Sequence, residues 1–340
     1  MTTLQLNSLA KESQSRNGSA ASPGASKNRP TPPIVKVVDA GHGEIKVWDN
    51  HGLMIIQNGY VTNPDRGMLR ARNAGNHSVV TKDYRRLYGD VACSSSKAIL
   101  AVNADKAANP VDMLLPTLRP EDDGQDIILG WFHWDEDELA PIQERLLGQH
   151  QATVDGHDIT VNVTDFYGFA EGMGTWHLIN DDLSDGDTLL YVLGFGTTEK
   201  RVIRSDGSYF GPDPDRSLTV SDLVKAIASD PFVASKLSNR PDVPPSEALI
   251  AAGLRKDSIG SISAEHWAIV KQKYIAPWYE QVQEALISDE YIQRVNNRVL
   301  TGGGAALIAP YASEFAVVPT DPGTACVRGA YEHIRSVVGV

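Results

Sequence analysis

The stretch VVDAGHGEIKVW, residues 37–48, has a carboxylate, Asp39, near the end of its first apolar run, followed by two glycines and a lysine. An ordinary tight turn needs one or two glycines and no acid at the end of the strand before it. Because glycine has no Cβ, the backbone N–H groups of a glycine turn can converge on an anion. The stretch therefore predicts a strand, a turn and a second strand, and the turn is either a plain connection or a binding site for phosphate.

The composition is that of a globular protein with an acidic surface. The chain has 340 residues, 41% hydrophobic and 22% charged, and a formal net charge of −12. Its length suits two domains of ordinary size. The negative charge argues against direct binding to DNA, which depends on neutralising phosphates with Lys and Arg. It suits a basic partner or an adaptor that itself touches DNA, and a surface that only keeps the protein soluble is the alternative.

Sequence signals of a membrane segment or a metal cluster are not found. The apolar runs stay below the roughly 18–20 residues that cross a bilayer, and the N-terminus lacks the pattern of a signal peptide. The two cysteines, Cys93 and Cys326, belong to no CxxC or Cys/His cluster. These features predict a reduced, cytoplasmic protein without a membrane partner.

The first half of the chain predicts mainly short strands joined by turns. Residues 1–33 are rich in Ser, Asn, Gly and Pro and predict a disordered tail, because they cannot bury enough apolar surface to offset the entropy of ordering. From Ile34 the runs IVKVVD, IKVW and GLMIIQ predict three strands of an antiparallel meander. The further predicted elements are a strand pair over 77–92, a serine-capped helix over 94–109, a strand over 126–131, a helix over 135–148, a hairpin over 151–163, and a glycine loop that runs into a short helix or coil over 169–179.

A second strand–glycine turn–strand unit, TLLYVLGFGTTEKRVI, begins at Thr188, about 150 residues after the first. Its recurrence suggests two related α/β halves. Helical spacing follows at 217–229 and 263–286, and Pro277 is expected to kink the second helix or break it in two. Five residues of that helix recur at near-helical intervals and are expected in the core: Trp267, Val270, Tyr274, Trp278 and Val282. The last predicted elements are a strand that runs into three glycines and a helix over 298–308, a strand over 314–319 and a helix over 323–338.

Three glycine-bearing turns, Gly41–Gly43, Gly194–Gly196 and Gly302–Gly304, are spread over both halves. The third lies at a strand-to-helix junction, where the helix N-terminus also favours phosphate. One such turn is weak support for a phosphate site, but three fit a nucleotide held between two domains. Lys46 could then reach a phosphate, and Asp39 could hold Mg²⁺, mostly through water.

These stretches, in this order, resemble the motifs of the actin-like ATPase superfamily, most of all the ParM-type plasmid-segregation actins of bacteria. VVDAGHGEIK resembles the first phosphate motif, D-x-G-x-x-x-x-K, and VLGFGTTE the second, D-x-G-x-x-T. VLTGGGAAL resembles the adenosine motif. FAEGMGTW and TACVRGAY resemble the two connecting segments, and in the second a small residue and a glycine let a hinge helix pack closely. The resemblance covers nearly all of the chain from Ile34 onward.

The resemblance implies an α/β, actin-like bilobed fold of two ribonuclease-H-like domains with a nucleotide cleft between them. Domain I would span residues 34–183, with the closing helix 323–340 packed back onto it, and domain II residues 184–322. ATP or GTP would bind with Mg²⁺ in the cleft, and subunits would join head to tail into filaments. Such filaments segregate plasmid DNA, which they hold through a separate DNA-binding adaptor.

The resemblance also assigns roles to individual residues. Glu171 takes the place of the catalytic Glu or Gln that orients the attacking water. Asp39 takes the place of the metal ligand, acting through water. The positions that match the nucleotide-binding motifs are Gly41, His42, Gly43, Lys46, Gly194, Phe195, Gly196, Thr197, Gly302, Gly303 and Gly304.

One departure from the family pattern bears on hydrolysis. The second phosphate motif normally begins with Asp, but this chain has Val192 there. Asp187 lies about one strand length too early to replace it, and Glu199 lies on the far side of the turn. The departure predicts a slow ATPase. Two alternatives stay open: an actin-like nucleotide-binding scaffold with little hydrolysis, and a non-polymerising kinase of the same fold.

Overall fold

The computed structural model describes residues 32–71, 75–95, 97–100, 107–212, 214–238, 240, 243–312 and 315–340. The predicted disordered tail, residues 1–33, lies outside these residues except for Pro32 and Pro33. Within the described part of the chain, none of the helices has the length and apolar character needed to cross a bilayer.

A ten-stranded mixed sheet forms the first half of the fold. Its strands, in chain order, are β1 (Ile34–Ala40), β2 (Glu44–Asp49), β3 (Gly52–Gln57), β4 (Gly59–Thr62), β5 (Asn76–Val80), β6 (Arg85–Gly89), β7 (Ile99–Leu100), β8 (Asp126–His133), β9 (Gly148–Val154) and β10 (His157–Ala170). They lie in the order β3-β2-β1-β8-β10-β9-β5-β6-β4-β7. Strands β1, β2 and β3 form the predicted antiparallel meander, and β1, β8 and β10 run parallel.

A four-stranded sheet forms the second half and repeats part of this arrangement. Its strands are β11 (Thr188–Leu193), β12 (Thr198–Ile203), β13 (Tyr209–Phe210) and β14 (Asn297–Thr301), in the order β13-β12-β11-β14. Like β1, strand β11 pairs antiparallel with the next strand and parallel with a later one. The related halves expected from the two glycine hairpins are therefore seen in the strand pairing.

The helices, in chain order, are α1 (Arg66–Ala71), α2 (Asp90–Cys93), α3 (Pro110–Leu114), α4 (Leu139–Leu146), α5 (Met173–Ile179), α6 (Val220–Ala228), α7 (Pro231–Leu237), α8 (Glu247–Leu254), α9 (Ala264–Ile287), α10 (Gly303–Ala312) and α11 (Ala325–Val338). The expected core positions of α9 are buried, except that Tyr274 is half-buried. The predicted domain boundaries at 183/184 and 322/323 stay a prediction.

Strand β1 is apolar on both faces, apart from the buried Lys36 and from Asp39 near its end, because both of its faces are covered. Val35 and Val37 pack against α11, whereas Val38 and Ala40 belong to the core on the other face of the sheet. Strand β11 is buried on both faces in the same way. Its odd-numbered residues pack against the helices of the second half, and Leu190 packs against α5 and the end of β10. These two central strands hold the glycine turns that follow them.

Helices α5 and α11 cross with their backbones in contact. A Cβ added to Gly329 would collide with the Gly174 carbonyl oxygen, because their distance would be more than an ångström shorter than the shortest contacts of real Cβ atoms. A Cβ added to Gly174 would collide in the same way with the carbonyl oxygen of Cys326. The close helix packing expected from the second connecting segment is confirmed. The crossing involves α5, which begins two residues after Glu171.

The helix predicted over 94–109 is wrong for the residues that the structure describes. Helix α2 ends at Cys93, and β7 pairs with β4. The Ser94 hydroxyl donates to the Asp90 carbonyl oxygen (2.8 Å), and the Ser95 hydroxyl oxygen accepts from the Lys97 backbone N–H (3.1 Å). Serine side chains that bond nearby backbone in this way compete with helix formation. Residues 101–106 of the predicted helix lie outside the described part of the chain.

Two smaller predictions are corrected as well. In the described part of the strand predicted over 314–319, residues 315–319, a single bridge forms, between Val317 and Val299, and Pro319 has no N–H with which to extend it. Helix α9 runs without a break through Pro277, which corrects the expected break, whereas the alternative of a kink stays a prediction. A proline inside a helix costs about 3 kcal/mol, but buried residues on both sides of Pro277, including Trp267 and Trp278, anchor the helix to the core.

Candidate functional site

A cleft of about 1350 Å³, including the part open to solvent, lies between the two sheets. It is lined by the β1–β2 turn, the end of β10, the β11–β12 turn, the β14–α10 junction and one face of α8. The sequence-predicted site residues that line it are Asp39, Gly41, His42, Gly43, Lys46, Glu171, Gly194, Phe195, Thr197, Gly302 and Gly303. Gly196 and Gly304 are not among the described residues of its wall. The roles predicted for all of these residues stay predictions.

The β1–β2 turn is held in shape by Asn58, a residue that is only 2% exposed. The Asn58 side-chain amide donates to the Gly41 carbonyl oxygen (2.6 Å), and its backbone N–H donates to the Gly43 carbonyl oxygen (3.0 Å). In a trans peptide the C=O and N–H point in opposite directions. Tying both carbonyls to Asn58 therefore points the N–H groups of His42 and Glu44 away from Asn58.

The β11–β12 turn is held by the first turn of α6. The Val220 and Ser221 N–H groups donate to the carbonyl oxygens of Gly194 (3.2 Å) and Phe195 (2.8 Å). By the same peptide geometry, the N–H groups of Phe195 and Gly196 point away from α6. The two turns, one from each sheet, are therefore built alike. In each turn, hydrogen bonds occupy two carbonyl oxygens, so the N–H groups of the next residues point away from the segment that holds the turn.

The two turns touch each other at the base of the cleft. A Cβ on Gly43 would lie 3.0 Å from the ring of Phe195, and a Cβ on Gly196 would lie 2.8 Å from Nδ1 of His42. Each turn thus offers a glycine that makes room for a ring on the other.

The third glycine run serves mainly to pack the β14–α10 junction. Gly302 has a φ of +92° and donates its N–H to the Pro322 carbonyl oxygen (2.9 Å). A Cβ there would lie 2.6 Å from the Leu193 carbonyl oxygen, and a Cβ on Gly304 would lie 2.9 Å from the Leu193 Cβ. Gly304 therefore faces β11, whereas Gly302 and Gly303 reach the cleft.

Three charged residues with predicted roles face the same cleft. Asp39 and Lys46 are direct partners in the β1–β2 register, and their side chains form an ion pair of 3.7 Å. Both are partly exposed, at 20% and 12% of the side chain. Glu171 follows the last residue of β10 and precedes Gly172, whose φ is +87°. The carboxylate of Asp39, the ammonium group of Lys46 and the carboxylate of Glu171 therefore line the same cleft as the β1–β2 and β11–β12 turns.

Val192, the departure from the family pattern, has a packing contact. A Cβ on Gly172 would lie 2.6 Å from Cγ2 of Val192, so the valine lies flat against the peptide that follows Glu171. The side chain at this position therefore buttresses the Glu171 segment, a contact that the sequence does not reveal.

Both cysteines line the cleft, which sequence reasoning missed. Burial raises the pKa of the Cys93 thiol to about 12. Burial, with a contribution from the negative charge of Asp39, raises the pKa of Cys326 to about 12 as well. Both thiols stay protonated at neutral pH and are poor nucleophiles.

Other residues of the wall also carry no local sequence signal. One face of α8 supplies Glu247, Ala248 and Ala251. After the end of α8, Arg255 reaches across the cleft to Glu44 on β2, with Nη1 2.6 Å from Oε1. These two residues are 211 positions apart in the chain, and a contact over that distance is invisible to a search for local motifs.

Structural comparison shows which fold surrounds this cleft. An archaeal actin homolog is 18% identical, with a TM-score of 0.62, over 89% of this chain and 99% of its own. A 15-stranded ParM filament from Clostridium botulinum is 14% identical, with a TM-score of 0.61, over 90% and 100%. Bacillus thuringiensis ParM with AMPPNP is 12% identical, with a TM-score of 0.66, over 91% and 100%.

The chain therefore has an actin-like fold, as its motifs predicted. At these identities the likeness establishes the fold, and function has to be argued from the cleft. No protein-family model matches the sequence, and no curated protein matches it.

Proposed function

We propose that this protein binds ATP or GTP in the cleft, hydrolyses it, and assembles head to tail into filaments that segregate plasmid DNA through a DNA-binding adaptor. The observation that carries the proposal is a pair of glycine turns, one from each sheet, that meet in the cleft lined by Asp39, Lys46 and Glu171. Hydrogen bonds occupy carbonyl oxygens of both turns. Backbone N–H groups of such turns form an anion site where they converge. A nucleotide gripped by turns from both sheets would set the angle between them, as in hinge closure.

Each polar group has a place in this chemistry. The turn N–H groups and Lys46 would bind the phosphates, and Glu171 would orient the water that attacks the γ-phosphorus and accept its proton. The bond between that phosphorus and the oxygen of the departing diphosphate then breaks. Electrostatic stabilisation by fixed donors is the main contribution expected from this chain.

The residues present fit Mg²⁺ bound together with nucleotide. Within the described residues, no group of three or more His, Cys, Asp or Glu could hold an ion by protein ligands alone. Asp39 is a partly exposed carboxylate beside the first turn, and Mg²⁺ is commonly held by one or two carboxylates, waters and substrate phosphates. When bound, the ion would neutralise charge on the phosphates.

Two further observations support filaments and an adaptor. Solved structures with the same fold include a ParM filament, and head-to-tail contacts that do not close a ring give filaments. The net charge of −12 suits contact with DNA through a basic adaptor rather than direct binding. An actin-like scaffold with little hydrolysis is the second candidate, and Val192 is the residue that favours it.

Pelleting and electron microscopy with ATP, GTP, ADP and a non-hydrolysable analogue, with and without Mg²⁺, test the proposal. Polymer that depends on triphosphate, together with phosphate release, is the expected result. Polymer without phosphate release would favour the scaffold. Phosphate transfer to a small molecule without polymer would favour a kinase, and no nucleotide binding would refute all three.

Variants separate hydrolysis from binding. Glu171→Ala should retain nucleotide affinity and lose most phosphate release, because a methyl group can neither orient the water nor accept its proton. The matched control is Glu144→Ala, which changes an exposed acid on α4 and should behave as wild type. Plasmid segregation is tested separately, by deleting the coding sequence from the replicon that carries it. The replicon should then be lost at a higher rate per generation.

A further inference from the structure

Arg201, a residue of the second sheet, holds the segment that carries Glu171. It lies on β12 and is 8% exposed. Its Nε donates to the Glu171 carbonyl oxygen (3.1 Å), and its Nη2 donates to the Trp134 carbonyl oxygen (3.1 Å). Trp134 follows β8 and Glu171 follows β10, which are adjacent parallel strands. One guanidinium of the second sheet therefore donates hydrogen bonds to the residues that follow two strands of the first sheet.

Glu199 holds that guanidinium in place. It is 4% exposed, and its Oε2 lies 3.6 Å from Nη2 of Arg201. The two residues are two apart on β12, so their side chains leave the same face of the strand. Glu136 approaches the guanidinium from the first sheet at 4.0 Å, and the Tyr209 ring lies 5.6 Å from it.

The strand register places Glu199 opposite the departure in the second phosphate motif. Glu199 pairs directly with Val192 in the β11–β12 ladder, and directly paired residues have Cβ atoms about 4.5–5.5 Å apart on one face of the sheet. The acid missing at Val192 therefore has a counterpart on the neighbouring strand. The charge of Glu199 is neutralised by Arg201, and Arg201 in turn donates a hydrogen bond to the Glu171 carbonyl oxygen.

The Glu171 segment is thus fixed from two directions by the second sheet. Val192 packs against Gly172, and Arg201 bonds the Glu171 carbonyl. A peptide held in this way cannot rotate freely, and the direction of the Glu171 side chain follows from that of its peptide.

We propose that Arg201 is a positioning residue that sets where the Glu171 carboxylate stands, and that Glu199 keeps Arg201 in that place. This inference rests on the proposed hydrolysis. It links the second sheet to the residue that orients water, so a change in the angle between the sheets would move Glu171.

The decisive variant is Arg201→Lys. Lysine keeps the positive charge beside Glu199, so no buried carboxylate is left alone, but a compact ammonium group lacks the planar fork that reaches two carbonyls. Arg86→Lys is the matched control, because Arg86 is also partly buried and paired with an acid, Asp112 (2.6 Å), but is not part of the cleft wall. A second variant, Glu199→Gln, loosens Arg201 without touching Glu171.

Three measurements are made on each full-length variant: nucleotide affinity, the rate of phosphate release at saturating nucleotide, and hydrogen–deuterium exchange over residues 168–173. Arg201→Lys should lower the rate about 10- to 100-fold, as expected when a catalytic group is displaced by about an ångström. It should leave affinity within about threefold and speed exchange over 168–173. Glu199→Gln should change the same quantities in the same direction, and Arg86→Lys should change none of them.

The outcomes separate this inference from the function on which it rests. Wild-type exchange over 168–173 in Arg201→Lys, or a wild-type rate of phosphate release, would overturn the positioning role. A loss of affinity with an unchanged rate at saturation would also overturn it and make Arg201 a support of the binding wall. Wild-type protein that binds nucleotide but releases no phosphate would refute the proposed hydrolysis and the positioning role in it, whatever the exchange shows.

Discussion

The crossing of α5 and α11 provides a quantitative test of how the two connecting segments are built. Replacing Gly329 by alanine would drive a methyl group into the Gly174 carbonyl oxygen, and Leu178 also lies within 2.8 Å of the new Cβ. The obstacle is helix backbone, which cannot swing aside as a long side chain can. The two helices would have to separate locally by at least about 1 Å to restore ordinary van der Waals distances.

The expected cost follows from two opposing effects. Overpacking a buried site costs about 1–3 kcal/mol, and a backbone obstacle places Gly329→Ala at the upper end of that range. Alanine is favoured over glycine inside a helix by about 1 kcal/mol, which offsets part of the cost. The free energy of unfolding should therefore fall by about 2 kcal/mol.

Urea denaturation of the full chain measures this change as a lower midpoint with an unchanged slope. Gly67→Ala is the control: Gly67 lies in the exposed helix α1, where the added methyl meets only the Asp65 carboxylate at 3.1 Å, and stability should hold or rise. Gly329→Ala should also slow phosphate release, because α5 begins two residues after Glu171. A Gly329→Ala protein as stable as wild type would refute the backbone contact between these helices.

Three further predictions concern other parts of the molecule. Glu44→Gln removes the ion pair to Arg255 across the cleft; such a partly exposed pair contributes up to about 1 kcal/mol, so stopped-flow release of fluorescent nucleotide should be about two- to fivefold faster. Lys36→Met strips a buried cation from two buried aspartates and should lower the free energy of unfolding by about 3–5 kcal/mol. His177 stacks on His333 at 3.9 Å, and burial lowers its pKa from 6.5 to about 4; unfolded chains then bind more protons, so stability should fall from pH 6.5 to pH 4, less steeply in His177→Phe.

Each of these predictions has a matched control. Glu332→Gln breaks an exposed ion pair on α11 and should leave nucleotide release unchanged. Lys225→Met changes an exposed lysine of α6 and should leave stability nearly unchanged. For the histidine, equal slopes of stability against pH in wild type and variant would show that the stacked pair is not the cause.

Sequence reasoning succeeded where the information was local. The β1–β2 and β11–β12 hairpins follow from β-branched runs interrupted by glycines, and the actin-like fold is predicted by the resemblance of five motifs, in order, to a known family. It failed at residues 94–95 and 97–100, where the Ser94 and Ser95 hydroxyls bond nearby backbone and the predicted helix does not form. It also could not find the cross-cleft contact between Glu44 and Arg255, or the part played by Asn58, because those contacts are fixed only when distant segments pack together.

The glycines of the two turns have a packing role in addition to their proposed role in binding phosphate, and motif matching detects only the second. A phosphate turn needs glycine so that its N–H groups can approach an anion. Gly43 and Gly196 are needed also because the opposite turn places a ring, Phe195 or His42, where a Cβ would stand. A ligand that spreads one turn must therefore shift a ring of the other, so the two halves of the fold cannot adjust to a phosphate independently. The bound phosphate would then change the angle between the sheets through direct contact at the base of the cleft.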